Sequence, residues 1–333
     1  SVVITNNPST IDQNQVLTVK FPNLGPDDLI VPGTARLAFN IELDSDDDTN
    51  VTVVNNLGRA IVKQIKISLE GQQVYCLDDA DIFNCYADLW LSGNKRKDLA
   101  YQGIQSVNAG KLRIGAGDKD TTKKSDVAVA DAFGNRFCMP LEFELLTHHS
   151  PFCQSALGDR LSYELYFQSY GEVIVSSDTD ASYRISGISL EFEIVTHPEL
   201  ARLVKGQYES KLPIYYDRTI RHSIILKDKS DTLWNINLNT PARSLKGILL
   251  IFIDPFEAFS RESEKFYNPK IKHISCTVEG KPNQVYAGGM NPYQQFEEIC
   301  KYFGGSQVSK DFHHFDVRLE DYLVDKFALW LDL

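Results

Sequence analysis

Apolar and polar residues alternate along much of the first 196 positions. In the segment VLTVKF, Leu17, Val19 and Phe21 fall on one face. Such alternation is typical of a half-buried strand in an antiparallel sheet that has one face on a core. The pattern therefore predicts two sheets packed face to face. Four further segments alternate in the same way: RLAFNIEL with Leu37, Phe39, Ile41 and Leu43 inward, LEFELL with Leu141, Phe143 and Leu145, LSYELYF with Leu161, Tyr163, Leu165 and Phe167, and ISLEFEI with Ile188, Leu190, Phe192 and Ile194.

One of the strand patterns occurs twice. KQIKISLEGQQVY at 63–75 returns as KHISCTVEGKPNQVY at 272–286, displaced by 209 positions and then lengthened by two residues. Each copy is followed by a helical pattern, so strand, Glu-Gly turn, strand and helix recur in the same order. Because solenoid repeats have periods of only ~20–50 residues, this long displacement indicates two duplicated domains rather than a repeat array.

The segments that follow the two copies each predict one amphipathic helix. In DDADIFNCYADLWLSG, acidic residues open the helix and Gly93 closes it. In NPYQQFEEICKYFGG, Asn291 can cap the first turn, Pro292 suits the first position and Gln294 completes a capping box. The predicted apolar faces contain Ile82, Phe83, Tyr86, Leu89 and Trp90 in the first helix and Phe296, Ile299, Cys300 and Phe303 in the second.

The duplication divides the chain into two predicted domains. Residues 1–196 form the first, residues 197–213 form a linker in which Pro198 starts a short helix with Leu200, Leu203 and Val204 on one side, and residues 214–333 form the second. Strands are predicted in RHSIILKD, TLWNINLN and SLKGILLIFIDP, and a last one in DKFALWLDL. Measured by the displacement, the second domain stops about 70 residues early, and a truncated or cleaved copy is favoured over a genuinely shorter one.

Large aromatic residues are the expected core of both domains. A polar, glycine-rich stretch between Gln102 and Arg136 is instead expected to project from the surface. The residues predicted to fill the sheets are Phe39, Phe143, Tyr163, Phe167, Phe192, Trp234, Phe252 and Trp330, and those predicted to cover sheet ends from the helices are Phe83, Trp90, Phe296 and Phe303.

Charge and composition restrict the possible partners. The formal net charge of −11 argues against strong binding of nucleic acid, which needs clustered lysine and arginine. The short basic cluster NKRK at 94–97 is interpreted as a solvated loop. No apolar run approaches the ~20 residues that span a bilayer. Scattered cysteines without a C-x-x-C pair are expected to be free thiols: Cys76, Cys85, Cys138, Cys153, Cys276 and Cys300.

No metal site is expected from the histidines. THHSPFC offers His148, His149 and Cys153, and FHHF offers His313 and His314. Adjacent histidines on a strand point to opposite faces, so neither pair converges on one ion. Polar loop or strand-end positions explain both pairs.

The acidic loop DSDDDTN spaces Asp44, Asp46 and Asp48 like the first ligands of a calcium loop. Position six is Thr49 where glycine is needed, and position twelve is Asn55 where glutamate is needed. A solvated hairpin turn is therefore favoured, with weak cation binding as the alternative.

Catalysis has no clear signature. No G-x-S-x-G elbow, P-loop or G-x-G-x-x-G occurs, and Ser150 and Ser223 near histidines have no spaced carboxylate partner. Carboxylates spaced by two share one strand face and could serve glycoside chemistry, but they lie opposite the apolar face. These pairs are Glu142 with Glu144 and Glu191 with Glu193. The sequence thus predicts no enzyme, no catalytic or cofactor-binding residue and no cofactor.

Three segments carry a resemblance to a known family. VVNNLGRAIVKQIKISLEGQQVYCLDDADIF, FCMPLEFELL and, near the end, KFALWLDL are similar to segments of double jelly-roll major capsid proteins of double-stranded DNA viruses, most of all those of Polinton-like elements, adintoviruses and virophages. The resemblance implies an all-β fold of two consecutive eight-stranded jelly-roll sandwiches with short helices in the loops.

The resemblance also implies a function. Three chains would form a homotrimer that presents six rolls as a pseudo-hexagonal capsomer of an icosahedral particle. Its partners would be neighbouring capsomers and minor capsid or penton proteins, and its location the virion, after assembly in the host cytoplasm or nucleus. Because a fold does not dictate function, a carbohydrate-binding or hydrolytic jelly-roll protein is the alternative.

Overall fold

The computed structural model describes residues 10–44, 51–104, 111–112, 135–147, 151–157, 160–210, 216–226, 233–238, 244–283, 286, 289–304 and 315–333. Strands dominate the described residues, and the helices are short, which confirms the all-β class. The strands are β1 (Thr10–Ile11), β2 (Val16–Lys20), β3 (Asp28–Ile30), β4 (Arg36–Asp44), β5 (Thr52–Val54), β6 (Val62–Leu69), β7 (Gln72–Asp78), β8 (Lys111–Leu112), β9 (Arg136–Pro140), β10 (Ser162–Phe167), β11 (Ile174–Val175), β12 (Ser182–Glu191), β13 (Ile194–Thr196), β14 (Gly247–Ile251), β15 (Thr277–Val278), β16 (Lys281–Pro282) and β17 (Ala328–Asp332). The helices are α1 (Leu57–Ala60), α2 (Ala80–Asp88), α3 (Gly93–Asp98), α4 (Glu144–Thr147), α5 (Tyr170–Val173), α6 (Pro198–Glu209), α7 (Pro292–Gly304) and α8 (Leu319–Val324).

Two four-stranded antiparallel sheets pack face to face in the first unit, which here means the described residues up to 196. One sheet has the order β1-β12-β4-β9 and the other β2-β10-β6-β7. Counted among these eight strands alone, the orders are 1-8-3-6 and 2-7-4-5, so the chain crosses repeatedly between the sheets. This is the strand order of a jelly roll, in which both sheets bury one face against the other.

A single apolar core fills the space between the two sheets. The rows predicted inward on β2, β4 and β10 are all buried, and residues of both sheets belong to one cluster. The predicted core aromatics of this unit are confirmed as buried: Phe39, Phe143, Tyr163, Phe167 and Phe192.

The strand predicted in LEFELL is wrong. β9 is an edge strand that ends at Pro140, which pairs with Arg36, and the last hydrogen bond of the ladder runs from the Leu141 N–H to the Ala35 carbonyl at 2.9 Å. Residues 141–143 are irregular and α4 follows. Leu141 and Phe143 are nevertheless buried, so the apolar pattern predicted burial correctly and conformation incorrectly.

Two residues predicted inward are exposed. Ile194 is 40% exposed because β12 ends at Glu191, and the next strand, β13, pairs with β3 in a separate ribbon. Leu203 is 64% exposed although α6 begins at Pro198 as predicted. The face that α6 buries contains Ala201 and Val204.

Both copies of the repeated module form a two-residue hairpin turn. Glu70 and Gly71 join β6 to β7, and Glu279 and Gly280 join β15 to β16. All four residues have positive φ, at 51°, 73°, 50° and 77° in chain order. A type I′ turn requires positive φ at both central positions and matches the twist of the flanking strands. The duplication seen in the sequence therefore extends to the backbone.

The helix predicted after the first copy divides in two. α2 ends at Asp88, and Gly93, which was predicted to close it, is the first residue of α3. Ser92 starts the new helix, since its hydroxyl accepts a hydrogen bond from the Lys95 N–H at 3.2 Å. A side chain at Gly93 would collide with the Asp316 carboxylate. The helix predicted after the second copy is confirmed as α7.

The capping box of α7 is also confirmed. The Asn291 side chain accepts from the Gln294 N–H at 3.0 Å, and the Gln294 side chain accepts from the Asn291 N–H at 2.9 Å. Two donors that lack partners within the helix are thereby satisfied.

The second unit, meaning the described residues from 216 onward, contains the β14–β17 pair and the β15–β16 hairpin, with α7 packed on β17. The strands predicted in RHSIILKD and TLWNINLN are wrong for the described residues, 221–226 and 233–238, which are irregular. No described strand pairs with them, and Ile225 is 86% exposed. Trp330 is buried as predicted, whereas the following are only partly buried: Phe83, Trp234, Phe252, Phe296 and Phe303. Within the described ranges, no helix is both long and apolar enough to cross a bilayer.

Candidate functional site

Residues of the first unit are built into the core of the second. Tyr86 lies on α2, and Leu89 and Trp90 lie in the turn that follows it. All three side chains are buried in one cluster with Phe327 and residues of β17. The Trp90 ring stacks on Phe303 with centroids 6.0 Å apart. It also meets the edge of Phe315 at 5.0 Å. The two units therefore share a core.

The helices that meet in this shared core are the two helices of the repeated module. From α2 and the turn after it, Tyr86 and Trp90 contact Phe303 of α7, and Trp90 also contacts Phe296. Duplication has thus placed equivalent elements against each other, and aromatic rings supply the large apolar area at the contact.

A buried ionic cluster lies beside the shared core. Glu264 of the second unit accepts hydrogen bonds from Arg96 Nη2 at 3.0 Å to each carboxylate oxygen and from Asn55 Nδ2 at 2.7 Å. Arg96 and Glu264 side chains are each only 3% exposed. Lys326 Nζ donates to the Glu264 backbone carbonyl at 2.7 Å. Asn55 and Glu264 are separated by 209 positions, which is the displacement of the repeated module.

Asp88 extends the ionic cluster into the first unit. One of its carboxylate oxygens accepts from Arg59 at 3.2 Å, from Asn56 at 2.9 Å and from Gln102 at 2.7 Å. Arg96 donates to the Asp88 backbone carbonyl at 2.6 Å. We call the set Asn55, Arg59, Asp88, Arg96, Glu264 and Lys326 the ionic cluster.

A second buried pair joins the same two units. Arg261 donates to Asp81 at 2.5 Å and to the Glu172 carboxylate at 3.4 Å. Next to it, the Phe259 N–H donates to the Gly171 carbonyl at 2.8 Å. Charge-assisted and backbone bonds therefore fix the segment around residues 259–264 on the first unit.

Burial governs the titration of these groups. It raises the pKa of Glu264 more than Arg96, Asn55 and Lys326 together lower it. Burial also raises the pKa of Asp81, although Arg261 acts in the opposite direction. For Arg59, burial lowers the pKa, but Asp88 and Glu142 more than offset it and the pKa is raised. Arg59 consequently stays charged, while the Asp81 and Glu264 carboxyls hold a proton more readily than free ones.

The raised pKa of Glu264 predicts the sign of a pH effect. The folded state binds this proton more tightly than the unfolded state, so the wild type gains stability as pH falls through the folded pKa. Glu264→Gln lacks this titrating group and gains nothing from it. The melting temperature of the wild type minus that of the variant is therefore expected to rise between pH 7 and about pH 5. A difference that falls toward acid would contradict this prediction.

The metal-ligand candidates of the sequence fall mostly outside the residues that the structure describes. His148, His149, His313 and His314 lie outside the described residues, as do Asp46, Asp48, Thr49 and Ser150. Cys153 is buried, with its Sγ 3.4 Å from Ser155 Oγ, and Asp44 ends β4. In the part of the chain that the structure describes, no group of three or more potential ligands could hold a metal ion.

Two of the candidate catalytic carboxylates, Glu142 and Glu191, are engaged in ion pairs. Glu191 accepts from Arg36 at 2.8 Å, and Glu142 from Arg59 at 2.5 Å. Glu142 and Glu144 do not share a strand face, because that segment is not a strand. Glu193 and Ser223 are exposed. All six cysteines are free, as predicted.

The interpretation of NKRK as a solvated loop is wrong. The segment lies in α3, and Arg96 is buried in the ionic cluster. A usable signal was present in α2, where Asp81, Cys85 and Asp88 follow one another at helical spacing beside the apolar face. All three are buried, so this stripe marks a second contact face that carries charge.

Comparison with known proteins gives matches among solved structures only. No family model and no curated protein matches the sequence. The PBCV-1 virus capsid matches 60% of this chain and 43% of its own, at 12% identity and a TM-score of 0.38. The Faustovirus major capsid protein matches 61% of this chain and 54% of its own, at 10% identity and a TM-score of 0.38. For the mavirus major capsid protein the shares are 59% and 46%, the identity 12% and the TM-score 0.33.

In fold, the chain is similar to viral major capsid proteins. Identities this low bear on fold alone, and the chain spans about half the length of each of these capsid proteins. The assignment of the jelly roll rests on the strand order of the first unit.

Proposed function

We propose that this chain is a major capsid protein whose trimers form the pseudo-hexagonal capsomers of an icosahedral double-stranded DNA virus or virus-like element. The observation that carries the proposal is the joint between the units. A jelly roll is attached to a second unit through a shared aromatic core and two sets of buried ion pairs. Such a joint makes one stiff building block out of two.

A shell requires this kind of stiffness. Closed symmetric assembly uses the same surface patch on every copy, so each chain must present its patches at a fixed angle. Buried ion pairs contribute little net stability compared with apolar packing, but a mispaired orientation would leave charges buried without partners. The ionic cluster therefore penalises other orientations of the two units, which is what a capsomer subunit needs.

The charge of the chain fits the same role. With a formal net charge of −11 on each chain, soluble capsomers repel one another and nucleic acid until specific contacts form. The proposed partners are accordingly other copies of this chain and minor capsid or penton proteins, and the proposed location is the virion, assembled in the host cytoplasm or nucleus. The domain boundaries proposed are those of the sequence, with the linker at 197–213.

The mass in solution tests the proposal. The chain, expressed together with any residues that its gene encodes beyond it, is expected to give a light-scattering mass three times that of one subunit. Negative-stain images of the same sample should show a pseudo-hexagonal outline, since three chains present six rolls.

A monomer at all concentrations, or a two-fold outline, would contradict the capsomer. Binding of the monomer to a panel of glycans would then favour the sugar-binding alternative. Leu203→Ala is the control and should leave the mass and the outline unchanged, because this exposed side chain lies on α6 and outside both cores.

A further inference from the structure

The Tyr163 hydroxyl is buried in the first roll without a protein hydrogen-bond partner. Tyr163 is only 1% exposed and lies on β10, facing the core between the sheets. A buried hydroxyl without a hydrogen bond costs free energy, so natural proteins rarely keep one. We therefore expect the Tyr163 hydroxyl to bind a partner that is not part of the chain.

A small cavity is lined in part by Tyr163. It lies at the β7 edge of the sandwich and has a volume of about 30 Å³. Its lining is part apolar and part polar, and the polar residues are Arg59, Tyr75, Asn84, Glu142 and Tyr163. A cavity of ~10–15 Å³ already holds one water molecule, provided that the molecule finds two to four polar partners. The space and the polar groups are sufficient for about two.

We propose that this cavity is a binding site for ordered water, in which one molecule hydrogen-bonds the Tyr163 hydroxyl and bridges it to the Glu142 carboxylate. The hydroxyl donates to the water, and the water donates to the carboxylate. Burial raises the pKa of Tyr163, and the nearby Glu142 raises it further, so the hydroxyl keeps the proton that it donates. The site is independent of the capsid assignment.

The bound water connects the ionic cluster to Tyr163 in the core of the first roll. Glu142 accepts from Arg59, Arg59 donates to Asp88, and the Asp88 backbone accepts from Arg96, which holds Glu264. A water bound to both Tyr163 and Glu142 therefore connects β10 to this series of hydrogen bonds, which ends at Glu264 of the second unit. Without it, the Glu142 carboxylate, whose side chain is 57% exposed, has one fewer restraint.

Tyr163→Phe tests the water site by the sign of its effect. Phenylalanine fills the same space and removes only the hydroxyl. If the hydroxyl binds water, its loss leaves that water with an unmet bond, and the melting temperature is expected to fall by roughly 1–4 °C. If the hydroxyl has no partner, its removal relieves a desolvation cost and the melting temperature rises. An unchanged or raised melting temperature overturns the proposal.

Tyr183→Phe is the matched control. Tyr183 is buried to the same degree, and its hydroxyl donates to the Gln168 carbonyl at 2.5 Å. Its loss of stability calibrates a hydroxyl with a known partner. A crystal structure of the whole chain should further show water density within about 3.2 Å of the Tyr163 oxygen, and Tyr163→Phe should lack it. A dry cavity in the wild type overturns the proposal independently of stability.

Discussion

Trp90→Ala is expected to lower the free energy of unfolding by about 3–5 kcal/mol, as truncation of a buried tryptophan does elsewhere. Trp90 contacts Phe296, Phe303 and Phe315, all on the second unit, so alanine would leave a cavity between elements of both units. The surrounding rings come from separate segments and cannot all move into the space. Urea unfolding followed by tryptophan fluorescence and by circular dichroism measures the loss.

The pattern of the loss is as informative as its size. Because the core is shared, both units of Trp90→Ala should unfold at a lower urea concentration in one transition. Val16→Ala is the control, since Val16 is 45% exposed on β2 and should change stability by about 0.5 kcal/mol or less. Two separate transitions, with the first unit unaffected, would show that the core is not shared.

Glu264→Leu is expected to cost about 3–5 kcal/mol for a different reason. The substitution removes a carboxylate whose two oxygens both accept hydrogen bonds from Arg96. The Arg96 guanidinium remains in a site where its side chain is only 3% exposed. An unpaired buried charge is strongly destabilising, whereas a buried pair replaced as a whole is often neutral. The double variant Arg96→Met with Glu264→Leu should therefore recover much of the loss.

A surface pair provides the comparison. Lys246 and Asp217 are 2.7 Å apart but 67% and 70% exposed, and Lys246→Ala should cost at most about 1 kcal/mol. If the double variant is as stable as the wild type but its capsomers show more than one outline, the ionic cluster fixes the orientation of the two units relative to each other. If Glu264→Leu alone costs no more than Lys246→Ala, the cluster is not buried in solution.

Period-two alternation predicted the first roll well, because each strand there has one buried and one exposed face. The row of Leu17, Val19 and Phe21 is buried as predicted. The same rule failed at Phe143, which is buried from an irregular segment after Pro140. Alternation reports which side chains are apolar and where they recur, and it is blind to where pairing with the neighbouring strand ends.

The ionic cluster was beyond the reach of the same reasoning. Charged residues are mostly exposed, so Arg96 in NKRK was interpreted as solvated. Its partner Glu264 is 168 positions away, and nothing local in either segment announces the pairing. The repeated hairpin was accessible because Glu-Gly requires a specific backbone conformation, whereas a long-range ion pair depends on how whole units meet.

The shared core bears on how such a chain is inherited. Sequence alone suggests the linker at 197–213 as the place where two relatives could exchange halves. Trp90 lies before this point, yet its neighbours Phe296 and Phe303 lie after it. A crossover in the linker would combine a tryptophan from one lineage with a pocket shaped in another. The two halves of this gene should therefore descend together, although they arose as copies of one module.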